Sequence, residues 1–470
     1  MKSALSSQII DHNAEFRGVS VTKLMNRAGK EACRAILQKW KKPRKVQIFC
    51  GGGNNGGDSF ALAAEFLAKK IEVEVILAVA KSRIRTKAAR HHCAKLSAKV
   101  ISIFSVKTKF DGDILVDALL GIGAVGGLQK PLNVIVQKLM KAKGNLVSLD
   151  VATSSKLKPK LVVAFHASKN SKNEIVVPIG IPKIAETHFG PGDVKFYFPR
   201  RKLDSHKGKN GRVVIIGGSA EFVGAPLFAG LGAAAIGVDL VEIFVPAVNF
   251  SAARKFSPNF LVRKFLGNSG FLTLTAAAKI LEFASKNKAT LVVGPGLGKQ
   301  KETIAAIEFL ARNCRQPLVF DADALIPNLP KFVSKKVVLT PHGGELKRLL
   351  EHTSPSSTTS SATNCRGLSK KLNSVILEKG KVDTIHSSTQ TRWNDQGNPI
   401  LTVGGTGDVL AGIVGGLLAR EVEPFEAAGI AAFLVGLAGK KIAVKSESTT
   451  PQLLAREIPK VVRKILDKRF

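Results

Sequence analysis

Short apolar runs alternate along this chain with stretches of helical spacing, and the alternation predicts two successive α/β systems. In the first, KVQIFC (Lys45–Cys50) reads as a strand, residues 51–57 as a turn, and residues 58–70 as a helix with Phe60, Leu62, Phe66 and Leu67 apolar. Residues 73–79 form the next strand, and further strands are expected over 113–118, 146–150 and 161–165. This order makes an open, largely parallel α/β domain. Residues 196–210, FYFPRRKLDSHKGKN, are polar, basic and punctuated by Pro and Gly, which places the domain boundary there and divides 1–202 from 203–470. Strand-like runs resume at 212–216, 240–245, 290–293, 317–321, 336–340 and 374–378, separated by helical stretches, and predict a second, larger α/β domain. Between them, TSPSSTTSSATN (353–364) is low-complexity and reads as an exposed loop or the N-terminus of a helix. The most apolar stretches, 222–246 and 403–418, are broken by Asp239 and Asp408 and are rich in Gly, so they predict buried strands and helices rather than membrane spans.

Charge changes the picture only in part. The 470 residues include 71 Lys or Arg and 35 Asp or Glu, a formal charge of +36. Hydrophobic residues at 45% and charged residues at 23% are those of a folded protein and exclude wholesale disorder. Such a charge invites phosphates, nucleic acid included. No helix-turn-helix, zinc-finger or aromatic-interleaved basic motif is present, so nucleic acid is not the expected partner. Cys33, Cys50, Cys93, Cys314 and Cys365 are odd in number and form no CxxC pair, which argues for a reducing compartment and against disulfides or a zinc cluster. The first sixteen residues are polar and mixed, unlike a signal peptide, and a cytoplasmic location is expected.

Chemistry concentrates at Gly-rich turns and strand ends. Residues 51–58, GGGNNGGD, contain G-x-G-x-x-G (Gly51, Gly53, Gly56) between a strand and a helix. The acidic residue a dinucleotide fold needs near the end of its second strand is met only by Glu74, inside that strand, so a standard NAD-dehydrogenase reading is weak. Asn54 and Asn55 offer a helix N-terminus donors for phosphate and carbonyl oxygens for a hard cation, or they simply make a tight Asn-Gly turn. Asp117 in VDALLGIG and Asp150 in SLDVAT each end an apolar strand, where open α/β sheets bind ligands, although either alone could cap a helix. In the second domain, Gly404 to Gly407 of GGTGD lead into a helix and would present backbone N–H groups to a phosphate. Asp408 beside them could take a proton from a hydroxyl, or merely favour the first helical turn.

GGGNNGGD, VDALLGIG, SLDVAT and the early Leu24-Met-Asn-Arg-Ala-Gly29 resemble the N-terminal domain of the YjeF-like proteins, the NAD(P)H-hydrate epimerases. The resemblance implies a Rossmann-like three-layer fold. It further implies that Asn54, Asn55, Gly56, Gly57 and Asp58, with Gly121, Ile122, Gly123, Ala124, Val125, Gly126 and Gly127, contact the pyrophosphate or ribose of hydrated nicotinamide nucleotide. Asn55, Asp117 and Thr153 would ligate potassium, and Asp150 would sit beside the nicotinamide as acid/base. Two departures stand out: Ser59 where the family usually has Gly, and Asp150-Val-Ala-Thr-Ser154 where it has D-x-P-S-G.

The second domain is similar to the ADP-dependent NAD(P)H-hydrate dehydratases, a ribokinase-like three-layer α/β family. The likeness is carried by His206-Lys-Gly208, Gly217-Gly-Ser219 with Gly224-Ala-Pro226, Val293-Gly-Pro-Gly-Leu-Gly298, Asp321-Ala-Asp-Ala-Leu325, Leu339-Thr-Pro-His342-Gly-Gly-Glu345, Glu378-Lys-Gly380 and GGTGD. It implies that Ala225, Gly296, His342 and Asp408 hold the hydrate. Lys379, Gly380, Lys381, Val382, Asp383 and Thr384 would line the adenosine-nucleotide site, with Gly404, Gly405, Thr406 and Gly407 at its phosphates, magnesium accompanying ADP, and Asp408 as base. Asp321 and Asp323 could serve that magnesium or cap a helix. The expected function is repair of NADH and NADPH hydrates (NADHX, NADPHX) by a homo-oligomer. The alternative is a ribokinase-like small-molecule kinase carrying a non-catalytic, nucleotide- or RNA-binding N-terminal module.

Overall fold

The computed structural model describes residues 4–121, 127–265, 267, 270–351 and 361–467. The chain forms two compact units, 1–186 and 187–470.

The first unit carries seven strands among the described residues: β1 (Lys45–Cys50), β2 (Glu72–Leu77), β3 (Ile101–Ile103), β4 (Ile114–Ala118), β5 (Asn145–Leu149), β6 (Leu161–Phe165) and β7 (Glu174–Val177). They pair in the order β3-β2-β1-β4-β5-β6-β7, every pairing parallel. The strands are near-continuous apolar runs because helices cover both faces. Val46, Ile48 and Cys50 of β1 share a core with helices Val21–Lys39 and Asn54–Ala68, whereas Phe49 faces the other way, onto helix Leu132–Lys141. Three layers result, as expected. The chain reverses direction across the sheet between β1 and β4, where open α/β sheets hold ligands. Helix Asn54–Ala68 begins four residues before the predicted start at 58, so Asn54 to Asp58 lie in its first turn rather than in a loop.

The second unit carries β8 (Arg212–Ile216), β9 (Leu240–Val245), β10 (Leu261–Lys264), β11 (Thr290–Val293), β12 (Leu318–Phe320), β13 (Val337–Leu339), β14 (Val375–Glu378), β15 (Asp383–His386) and β16 (Thr391–Asn394). Their order is β10-β9-β8-β11-β12-β13-β14-β15-β16, and only the last two pairings are antiparallel. Val213 and Ile215 pack beneath helices Gly224–Ala235, Thr406–Ala419 and Pro424–Ala443, while Val214 and Ile216 pack against helices Leu274–Lys286 and Lys301–Asn313. This is again a three-layer unit. Of the low-complexity segment, 353–360 lies outside the described residues and 361–364 begin helix Ser361–Leu372.

The two compact units divide between 186 and 187, sixteen residues before the expected 202/203, and the difference has a physical cause. Residues 196–210 read as the boundary because they are polar, basic and punctuated by Pro and Gly. Yet Phe189 is buried against Phe425, and Asp193 is fully buried in a two-pronged ion pair with Arg392 at 2.7 and 3.1 Å. Residues 187–202 therefore belong to the second unit. Among the described residues no helix is long and apolar enough to cross a membrane.

Candidate active sites

In the first unit, the ends of β1, β4, β5 and β6 border a cavity of about 740 Å³. The turn after β1 crosses the segment after β4 so closely that a Cβ at Gly51 would stand 1.9 Å from the Leu119 carbonyl oxygen. Only glycine permits that approach. Asn55, in the first turn of the helix, donates its amide to the Leu120 and Leu149 carbonyls at 3.0 and 3.2 Å, which fixes its orientation. Its Oδ1 is consequently buried with no hydrogen-bond partner among the described residues. Beside it, the buried Asp117 carboxylate accepts from the Thr153 hydroxyl at 2.6 Å, the Thr153 N–H at 2.8 Å and the Ser148 hydroxyl at 3.0 Å. Burial raises its pKa and these bonds hold it down. An orphaned carboxamide oxygen next to an anionic carboxylate and a hydroxyl suits a hard monovalent cation.

Three carboxyl groups, Asp11, Asp58 and Asp150, and the Lys169 ammonium line the cavity itself. Asp150 follows β5 with φ +62°, a left-handed conformation Asp tolerates, and Lys169 Nζ stands 3.3 Å from its Oδ1. Burial first, then Asp150 and Asp11, pushes Asp58 well above the carboxylate range. Burial and Asp150, partly offset by Lys169, push Asp11 up to about 7. Carboxyl groups with raised pKa beside an ion-paired one make a proton donor and acceptor set.

In the second unit, the Gly-rich loop enters helix Thr406–Ala419 through Gly405, at φ +92°. A Cβ there would meet Phe228 and Pro451 at 2.6 Å. The Thr406 hydroxyl bonds the Leu401 and Val403 carbonyls at 2.7 and 2.8 Å, so it shapes the loop and only its backbone is left to a ligand. Asp408 lies in the first helical turn, raised to about 8 by burial, then by Asp321, with Lys379 opposing and Asp323 adding. Lys379, just past β14, pairs with the buried Asp321 at 2.9 Å, and Asp321 also accepts from the Thr340 hydroxyl at 2.7 Å. Asp323 accepts from the Gly298 N–H at 3.0 Å. Asp321, Asp323 and the raised Asp408 carboxyl thus face one ammonium, a set of oxygens that suits the divalent cation of a nucleotide.

Two family models match, one within each unit. The model described as NAD(P)H-hydrate dehydratase matches residues 213–460, and that of the YjeF-related protein N-terminus matches residues 21–171. The bifunctional NAD(P)H-hydrate repair enzyme of Methanopyrus kandleri is 35% identical over 483 aligned positions, covering 97% of this chain and 95% of that protein. The chain belongs to the bifunctional NAD(P)H-hydrate repair enzyme family. An ADP-dependent (S)-NAD(P)H-hydrate dehydratase of Nitrosopumilus maritimus is 38% identical, covering 54% of this chain and 88% of its own. A solved ADP/ATP-dependent NAD(P)H-hydrate dehydratase from Bacillus subtilis, co-crystallised with ATP and Mg2+, aligns with TM-score 0.50 and 24% identity over 59% of this chain and 98% of its own, a likeness of fold. A ribokinase-like superfamily protein from Enterococcus faecalis aligns with TM-score 0.52 and 25% identity over 60% of this chain and 97% of its own.

In this family member, Asn54, Asn55, Asp58, Gly121, Gly127 and Asp150 border one cavity, Gly56 and Gly57 instead face Gly51 and Met25, and Ile122, Gly123, Ala124, Val125 and Gly126 lie outside the described residues. The two departures are accommodated. Ser59 bonds the Gly56 carbonyl at 2.7 Å and Cys50 at 2.8 Å, and Thr153 keeps the altered loop on Asp117. In the second unit, Gly296 at φ +68° brings its turn against Ala225, 3.4 Å from a would-be Cβ. His342 is more than half exposed, and its Nδ1 accepts from the Gly344 N–H at 3.0 Å, so it caps the helix that follows. Its backbone is bridged to Lys379 through the Lys379 N–H and Pro341 carbonyl at 2.8 Å. Asp383 accepts from the Gly380 N–H at 3.0 Å and from Asn394 at 2.9 Å, shaping the Lys379–Thr384 turn from within. Asp321 makes no side-chain capping bond, contrary to the capping alternative. Sequence reasoning missed Asp11 and Lys169. The strand-end rule applied to Asp117 and Asp150 would have found Lys169, four residues past β6; nothing pointed to Asp11.

Proposed function

We propose that this chain repairs hydrated NADH and NADPH in two steps: its first unit interconverts the R and S hydrates, and its second dehydrates the S form with ADP as phosphoryl donor. The observation that carries the reading is Asp408, set in the first turn of a Gly-led helix with Lys379 and Asp321 around it. The hydroxyl at C6 of the hydrate leaves poorly as hydroxide. Asp408 takes its proton while the oxygen meets the terminal phosphoryl group, and Gly404 to Gly407 offer N–H groups to the charge that develops. Lys379 supplies a positive partner within reach of the same phosphates. The C6–O bond then breaks with its electron pair on the departing phosphate, the nitrogen lone pair assists, and loss of a proton from C5 restores the dihydropyridine. Magnesium on the nucleotide would neutralise phosphate charge, with Asp321, Asp323 and Asp408 as the carboxylates near enough to hold it. Ala225, Gly296 and His342 border the place for the hydrate, and the Lys379–Thr384 turn the place for adenosine.

In the first unit, Asn55, Asp117 and Thr153 would hold potassium, whose charge favours an anionic pyrophosphate nearby. Asp150 takes the C6 hydroxyl proton as the C6–N1 bond opens to an aldehyde and an enamine nitrogen that is protonated, and returns it as the nitrogen loses its proton and closes on the other face of the carbonyl, while Lys169 holds Asp150 in place. The deciding experiment incubates the full chain with ADP and prepared hydrates and follows the returning absorbance of reduced nicotinamide. No return with the S form would overturn the dehydratase reading. An R form consumed no faster than it epimerises spontaneously would overturn the epimerase reading.

A further inference from the structure

On the second unit, a trio remote in sequence meets in space. Glu378 ends β14, His386 ends β15, and Cys365 lies on helix Ser361–Leu372. In the antiparallel register Ile376 pairs with His386 and Glu378 with Thr384, so Glu378 and His386 share one face of the sheet, the face on which Ile376 and Cys365 meet in one core. One ligand atom from each of Cys365, Glu378 and His386 lies within 4.8 Å of both others. Cys365 and His386 are buried, and Glu378 retains 30% exposure of its side chain. Nδ1 of His386 is 3.1 Å from the Thr391 hydroxyl. With Nδ1 donating there, Nε2 keeps its lone pair, and that nitrogen is buried with no hydrogen-bond partner among the described residues, its nearest carboxylate oxygen 3.8 Å away on Glu378. An orphaned ring nitrogen in a core costs about 1–3 kcal/mol unless something binds it.

We propose that Cys365, Glu378 and His386 form a zinc site, with water as fourth ligand on the exposed side of Glu378. Thiolate, imidazole and carboxylate are the ligand types zinc takes, and the Thr391 bond fixes the histidine as second-sphere partners of metal-bound imidazoles do. Bonds of about 2.0–2.3 Å put tetrahedral ligand atoms about 3.3–3.8 Å apart, so the histidine–glutamate pair, at 3.8 Å, closes by about 0.5 Å and the thiol by about 1 Å. The scattered cysteines gave no hint of this, because a single cysteine takes its partners from two neighbouring strands. The site would tie helix Ser361–Leu372 to the strand that leads directly into Lys379. It is independent of the repair activity.

The test is metal analysis of the full chain purified without chelator, with cobalt titration of the metal-stripped protein. About one zinc per chain and a thiolate-to-cobalt charge-transfer band are expected. Cys365→Ser should lose the band and His386→Ala most of the zinc, while Cys314→Ser keeps both. A wild-type chain that binds neither metal overturns the site, as does a His386→Ala variant with unchanged zinc content. Should either variant fail to fold, the wild-type cobalt spectrum decides: a band without thiolate character excludes Cys365 and with it the site.

Discussion

Asp408 gathers the electrostatic cost of the second site in one carboxyl group. Its folded pKa lies near 8, against an ordinary 3.8. From about pH 4 to about pH 8 the folded chain therefore holds a proton that the unfolded chain has released, and stability falls as pH rises through that window. Asp408→Asn removes this loss. The variant should abolish dehydration and still bind ADP, and thermal unfolding should show it gaining on the wild type by about 3 kcal/mol between pH 5 and pH 8. An equal gain at both pH values would show that the carboxyl titrates normally. In the first unit, Asp150→Asn should abolish epimerisation and leave dehydration of the S form intact. Lys169→Met, which takes the ammonium from Asp150, should lower the epimerase kcat about 10-fold or more and shift its pH profile upward. A profile that keeps its midpoints would mean that Lys169 only packs. Exchanging potassium for lithium should slow the epimerase alone, since Asn55 Oδ1 belongs to one unit only.

Two helices with little side-chain bulk between them bring the catalytic carboxyl to its place. Helix Gly224–Ala235 lies so close to helix Thr406–Ala419 that a Cβ at Gly412 would stand 1.9 Å from the Ala229 carbonyl oxygen, and one at Gly232 2.1 Å from that of Val409. Both clashes are with backbone, which cannot swing aside. Gly412→Val should force the helices apart, cost about 3 kcal/mol or more, and reduce dehydration by displacing Asp408 one turn away, as denaturant unfolding and steady-state rates would show. The apolar run at 403–418 predicted a buried helix but not this contact, which is set by the partner helix. The parallel strands were legible for a related reason: buried on both faces, each is a continuous apolar run. The short antiparallel β15 and β16, TIH and TRW with polar flanks, carry too little apolar signal. The helix start at Asn54 was obscured because Gly and Asn favour turns locally, while here the phosphate-type loop and the Asn55 bonds to two strand ends hold them in helix.

At the scale of the whole chain, the +36 charge and the linker-like composition of residues 196–210 both pointed to solvent, and composition alone could not show that 187–197 is anchored. The anchor is a buried charge pair. Arg392 grips Asp193 with two bonds, donates to the His188 carbonyl at 2.7 Å and stacks over Phe189 at 4.0 Å, while Phe189 fills the notch left by Gly429. Arg392 and Gly429 are remote in sequence from His188, Phe189 and Asp193 and from each other, so no local pattern announces the anchor, whereas Asp408 and its Gly loop were legible because their chemistry is contiguous. A fragment of residues 187–470 should therefore fold and retain dehydratase activity. One of 203–470, cut where composition suggests, leaves the Arg392 guanidinium without Asp193 and exposes the Phe425 pocket. Breaking a buried pair from one side costs about 3–5 kcal/mol, so the shorter fragment should unfold at correspondingly lower denaturant, and Arg392→Ala in the longer fragment should reproduce most of that loss. Were the two fragments equally stable by urea titration, residues 187–202 would be a linker after all.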